Sequence, residues 1–165
     1  MNALDSLRPR RAVRRIEDFP HRTTEIIRFG DLDSNNHVNN AVFSSFFEAG
    51  RVTLFRDPGR GLMPDGLIWT LAQITIDYLD EMHWPGAVEV GIGLASLGRT
   101  SATFEQAIFF EGRCAATARA VNVLVDLASR RPTPITDEIR ANYQRWMLGP
   151  ATAAAAEATL GAPAR

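Results

Sequence analysis

The chain has 165 residues, three histidines, no lysine and a formal net charge of -1. That is enough for one domain with a real core, without the positive charge of a bulk nucleic-acid binder. One cysteine, Cys114, excludes an internal disulfide and reads as an intracellular, cytoplasmic chain. No apolar run reaches the ~20 residues of a membrane span, so neither nucleic acid nor membrane is an expected partner.

Residues 1–20 read as a disordered arm. They are rich in Arg (Arg8, Arg10, Arg11, Arg14, Arg15) but lack the apolar segment of a secretory signal. Asp5, Glu17 and Asp18 count against a transit peptide. One domain is expected over residues 21–149, and an Ala-rich disordered tail over 150–165, where no apolar face is present to dock a helix.

A first strand is predicted at Thr24–Phe29. A polar loop follows, with two carboxylates (Asp31, Asp33), four amides (Asn35, Asn36, Asn39, Asn40) and one imidazole (His37). Next comes a helix from Ala41 to Phe55, capped by Asn39 or Asn40. Phe43, Phe46, Phe47, Gly50 and Leu54 fall at i, i+3, i+4, i+7 and i+11, one apolar stripe. Gly50 costs about 1 kcal/mol of helix propensity, so a close neighbouring backbone is expected there. Asp57-Pro58-Gly59 ends the helix.

From residue 68 the period changes to two. Ala72, Ile74, Ile76 and Tyr78 share one face of a strand, and Trp84-Pro85-Gly86 breaks the chain. Val88, Val90, Ile92 and Leu94 then alternate with Glu89, Gly91 and Gly93. A strand over Thr100–Phe110, a tight Glu111-Gly112 turn and a long strand from Arg113 to Leu127 follow. Arg131-Pro132-Thr133-Pro134 stops that strand, and Thr136-Asp137-Glu138 caps a short last helix. Short turns imply antiparallel neighbours. The expected class is α+β, a curved antiparallel sheet wrapped around one long central helix.

Asp31-Leu32-Asp33, His37-Val38-Asn39-Asn40 and Phe47-Glu48-Ala49-Gly50-Arg51 together resemble the signature of hotdog-fold acyl-CoA thioesterases of the 4-hydroxybenzoyl-CoA thioesterase type. Asp77-Tyr78-Leu79, Leu97-Gly98-Arg99-Thr100-Ser101 and Val125-Asp126 through Arg130-Arg131-Pro132 extend the resemblance over residues 22–147. It implies a hotdog fold, hydrolysis of acyl-CoA thioesters without a cofactor, and a homodimer or homotetramer with its active site at the subunit junction. The family's catalytic carboxylate falls on Asp33, and its oxyanion contact, a backbone amide at the helix start, falls near Asn40. Two departures stand out: Asn36 where many members have Gly, and Phe43 where many have Tyr. Asn tolerates positive φ, so the turn survives, whereas Phe43 removes a hydroxyl from the helix start.

These residue types suit the reaction. A thiol with pKa near ~8.5 leaves as thiolate with little help, so one carboxylate and one helix N-terminus are enough. Asp33 either attacks the carbonyl or deprotonates a water. Amides at the helix start face the oxyanion, and losing such a donor typically costs ~2.7–4 kcal/mol. The bland reading makes Asp31 and Asp33 turn or cap residues, and it fits Asp31 better. His37 orients Asp33 or contacts substrate. Asn39 sets the cap and borders the substrate, as does Phe43. Glu48 is either a second carboxylate or an i, i+3 partner of Arg51 worth ~0.2–0.5 kcal/mol, and the pair is the better reading. Arg99, Thr100 and Ser101 are candidate coenzyme A contacts, because an Arg suits a phosphate.

The other polar residues carry less. Cys114 has no nearby His or acid in sequence, and His21 and His83 read as surface or interface residues. Asp31-x-Asp33-x-Asn35 resembles half a calcium loop, but position twelve is Val42 where a Glu is needed. No Cys/His metal spacing is present. Phe46, Phe47, Trp69 and Tyr78 could line an acyl pocket or simply form core. A hydratase or dehydratase on the same fold, with a His37–Glu48 dyad, and a non-catalytic acyl-CoA binder are the rival functions.

Overall fold

The structure, a computed structural model, describes residues 13–150. In chain order the elements are β1 (His21–Ile27), α1 (Asn40–Phe55), β2 (Leu67–Tyr78), β3 (Gly86–Leu97), β4 (Ser101–Phe110), β5 (Arg113–Asp126) and α2 (Asp137–Tyr143). The strands form one antiparallel sheet in the order β1-β3-β4-β5-β2, with α1 packed on β1, β3 and β4. This is the α+β hotdog arrangement expected from the sequence.

Helix α1 begins where its chemistry says it should. The Asn39 side chain caps it, its Oδ1 accepting from the Ala41 N–H at 2.9 Å. All five residues of the predicted stripe are buried. Phe43, Phe46 and Phe47 share a core with Val88, Val90, Ile108 and Phe110 of the sheet. Gly50 sits at the tightest approach. A Cβ there would lie 2.9 Å from Val90 Cγ1 and 3.3 Å from Gln106 Nε2. Replacing Gly50 with Leu should therefore destabilise the fold by ~1–3 kcal/mol through overpacking, despite the better helix propensity of Leu. A denaturant midpoint at or above wild type would contradict that close packing.

Val88, Val90, Ile92 and Leu94 are fully buried, as their alternation predicts. Glu111 and Gly112 turn the β4–β5 hairpin with φ of 50° and 76°, the two positive values a two-residue primed turn requires.

Three features differ from the sequence reading. First, β2 does not hold one phase. A bulge between Leu71 and Gln73 shifts the register, so Trp69 before it and Ile74 and Ile76 after it all turn toward the core. The extra residue inverts the alternation. Second, β2 and β3 are not neighbours. β3 already has β1 on one side and β4 on the other, so residues 79–85 must cross from the β2 edge of the sheet. They are pinned on the way. Leu79 and Asp80 N–H groups donate to Ala115 O at 2.8 and 3.1 Å, and fully buried Met82 accepts from the Val38 N–H at 2.8 Å. The crossing therefore passes beside the loop that leads into α1.

Third, residues just before β1, read from the sequence as part of the arm, pack on the sheet. Ile16–Asp18 forms a 3-10 turn and Phe19 is buried against Phe109, with ring centroids 6.4 Å apart. Phe19 lies over Gly91, and Leu148 with Pro20 lies over Gly93, where a Cβ would come within 3.0 Å of each. The two glycines thus make room for Phe19, Pro20 and Leu148 on the outer face of β3. The rest of the expected arm, residues 1–12, and the tail beyond residue 150 lie outside the described residues. Among the described residues, no helix is long and apolar enough to cross a membrane.

Candidate active site

The loop from Asp31 to Asn39 is held by its own backbone. Asp33 N–H donates to His37 O at 2.8 Å, Asn36 N–H to Asp33 O at 3.1 Å, and Asn39 N–H to Asp31 O at 2.9 Å. Asn36 takes φ 60°, the left-handed turn that Asn tolerates. Asp31 accepts from the Arg28 N–H at 2.7 Å through Oδ2, a structural task that uses its carboxylate locally.

Asp33 is half-buried. Its Oδ1 accepts from Asn35 N–H at 2.7 Å and His37 N–H at 3.3 Å. Oδ2 receives no hydrogen bond from the described residues. The carboxylate is thus aimed by one oxygen and open at the other. Asp33, His37, Asn40 and Phe43 line one cleft of about 320 Å³ with Asn35, Val38, Tyr78, Leu79, Asp80 and Glu81. Asn40 is the first residue of α1. Its N–H has no partner among the described residues and carries the positive end of the helix dipole.

Tyr78 was a candidate pocket residue, and it reaches this cleft. Its hydroxyl donates to Asn40 O at 3.2 Å, and its ring meets Phe43 edge-on at 5.1 Å. A hydroxyl absent at Phe43 is thereby supplied near the helix start from β2. Phe47 and Trp69 lie in the core, the latter donating its indole N–H to Leu62 O at 2.9 Å. Phe46 borders a second cleft with Glu25, Arg28 and Asp31.

His37 does not use its ring on Asp33. The backbone N–H does the orienting, while Nδ1 faces Glu81 Oε2 at 3.3 Å. His83, expected at a surface or interface, joins them. Its Nε2 is 3.3 Å from Glu81 Oε1, and its ring lies edge-on to His37 at 4.9 Å. Glu81 escaped the sequence reading because its partner is a loop more than forty positions earlier, reached only through the β2–β3 crossing.

Other candidates sit elsewhere. Glu48 is exposed and outside the cleft. Arg51 turns away from it, donating from Nη1 to Gln106 Oε1 at 2.7 Å, while Gln106 Nε2 donates to Phe47 O at 2.8 Å. Burial holds Arg51 below the usual guanidinium value, and Glu48's charge acts against that. Arg99 and Thr100 lie in the β3–β4 turn and Ser101 opens β4, at the opposite end of β3 from His83, and none of them lines the cleft. Cys114 is partly buried and its thiol is pushed up to about 11 by that burial, unsuited to nucleophilic work.

His21 is a correction: it is buried, not superficial. Arg60 Nη1 lies 3.0 Å from its Nδ1, and Nε2 lies 3.0 Å from the Thr53 hydroxyl. Burial first, then the Arg60 charge, lowers its pKa to about 4. The unfolded chain binds this proton near 6.5 and the folded chain only near 4, so His21's contribution is complete above the first value. It is lost as pH falls toward the second, by up to ~3 kcal/mol. Urea unfolding at pH 7 and pH 4.5 should show a larger loss for wild type than for His21→Gln. Equal losses would mean that another group carries the acid sensitivity.

The profile of the thioesterase-like superfamily matches residues 27–143. Three solved structures align along nearly their whole length. A Thermus thermophilus thioesterase complexed with coenzyme A and Zn is 34% identical, with a TM-score of 0.67 over 77% of this chain and 93% of that one. A Pseudomonas aeruginosa PAO1 protein is 29% identical, with a TM-score of 0.72 over 82% and 96%. A Bacillus stearothermophilus protein described as a predicted thioesterase is 27% identical, with a TM-score of 0.70 over 79% and 98%. A search of curated protein sequences finds no match. The chain belongs to the thioesterase-like superfamily and is a hotdog-fold thioester hydrolase.

Proposed function

We propose that the protein hydrolyses acyl-CoA thioesters, with Asp33 as nucleophile or general base and the Asn40 N–H as oxyanion donor. The observation that carries this reading is the shared cleft: a carboxylate with one open oxygen and an unpartnered helix-start amide border the same volume. The coenzyme A bound to the Thermus relative supports coenzyme A as the carrier. Phe43 and Tyr78 supply an apolar wall for the acyl group, Asn39 holds the cap, and no cofactor takes part. Within one chain the Arg99-Thr100-Ser101 turn is remote from the cleft. It serves the coenzyme A phosphates of this site only from a second copy, in keeping with a homodimer or homotetramer.

The test is a panel of aromatic and aliphatic acyl-CoAs with a thiol reagent. Steady thiol release from at least one class is expected, and none from any would sink the reading. A second reading has one specific support: His37 and Glu81 make the His–acid pair a hydratase needs, where His37 and Glu48 do not. Hydration of an enoyl thioester without free thiol would favour it.

A further inference from the structure

We infer that His37, Glu81 and His83 form a site for one divalent first-row metal ion, with Zn²⁺ as its natural probe. The three offer ligand atoms that all lie within 4.8 Å of one another. Two separations, His37 Nδ1 to Glu81 Oε2 and His83 Nε2 to Glu81 Oε1, are both 3.3 Å. A tetrahedral ion with bonds of about 2.0–2.2 Å sets its ligands roughly 3.3–3.6 Å apart. The two contacts fall on different oxygens of Glu81, so its exposed carboxylate has to turn to bring one oxygen within that range of both imidazoles.

The proton arrangement points the same way. His83 Nδ1 lies 3.4 Å from Asn36 O. A carbonyl only accepts, so Nδ1 is the donor there, and Nε2 is the nitrogen turned toward Glu81. A metal-ligating imidazole commonly fixes its tautomer by such a bond from its other nitrogen. The competing arrangement is a second proton, making His83 an imidazolium paired with Glu81.

Three protein ligands leave a fourth position for water or another small ligand. The ion would also tie the loop before α1 to the β2–β3 crossing. His37 N–H donates to Asp33 Oδ1 and Asp33 N–H donates to His37 O, so holding His37 holds the segment that carries Asp33. The inference concerns binding and stands apart from the hydrolysis proposed above.

Tag-free protein, stripped with a chelator, is titrated with Zn²⁺ against a chromophoric competitor, without any substrate. One ion per chain is expected. Glu81→Gln and His83→Gln, both near the surface, should each weaken uptake at least ~10-fold, and Zn²⁺ should raise the wild-type melting temperature but not theirs. Co²⁺ should give visible absorption bands in wild type that both variants lose. No uptake by folded wild type, or uptake unchanged in both variants, overturns the site and favours the imidazolium. Thiol release by the stripped protein then reports on hydrolysis separately.

Discussion

Asp33→Asn should lower thiol release from the best acyl-CoA substrate by at least ~10²-fold, the usual loss on removing a positioned general base. The substitution is chosen for its geometry. Asp33 Oδ1 accepts from the Asn35 and His37 backbone N–H groups of its own turn, and the amide oxygen of Asn can accept the same bonds. The loop is retained while the charge and the proton acceptor are lost. Asp33→Ala removes the turn as well, so a drop seen only with Ala would assign the effect to loop collapse. Unchanged rates for both variants would remove Asp33 from the reaction. If Asp33 is the nucleophile, an acyl-enzyme forms in wild type and not in Asp33→Asn, and rapid quench with intact-mass measurement detects it where its hydrolysis is the slower step.

Phe47→Ala should cost ~3–5 kcal/mol of stability, the range for emptying a buried aromatic site. Phe47 is fully buried between α1 and the sheet. Its neighbours cannot collapse easily, because the Phe47 carbonyl is held by Gln106 Nε2 and Gln106 in turn by Arg51. Much of the vacated volume should persist as a cavity. Denaturant unfolding of Phe47→Ala and of Phe47→Leu, which refills part of the space, measures this. A loss under 1 kcal/mol for Phe47→Ala would mean that the helix repacks freely against the strands.

The elements themselves were legible in the sequence. The α1 stripe gave the buried face of the helix, Asn39 its cap, Glu111-Gly112 its hairpin, and the β3 alternation its core-facing residues. These are local signals, set by periodicity and turn chemistry within a few residues. The candidate carboxylate was legible for the same reason, since Asp33, His37 and Asn40 lie on one short segment. The β2 phase was misread because a bulge needs only one extra residue opposite β5. His21 was misplaced because Arg60 and Thr53, which bury and neutralise it, are distant in the chain.

The sequence by itself determined the α+β class, the central helix and the polar loop at its start, because each follows from side-chain periodicity and backbone preference. Only the tertiary structure decided that β2 pairs with β5, which sends residues 79–85 past the helix N-terminus, delivers Tyr78 and Glu81 to the cleft and sets His83 against Glu81 and His37. Pairing between strands far apart in the chain is chosen by competition among sheet edges, and no local pattern of residues records its outcome.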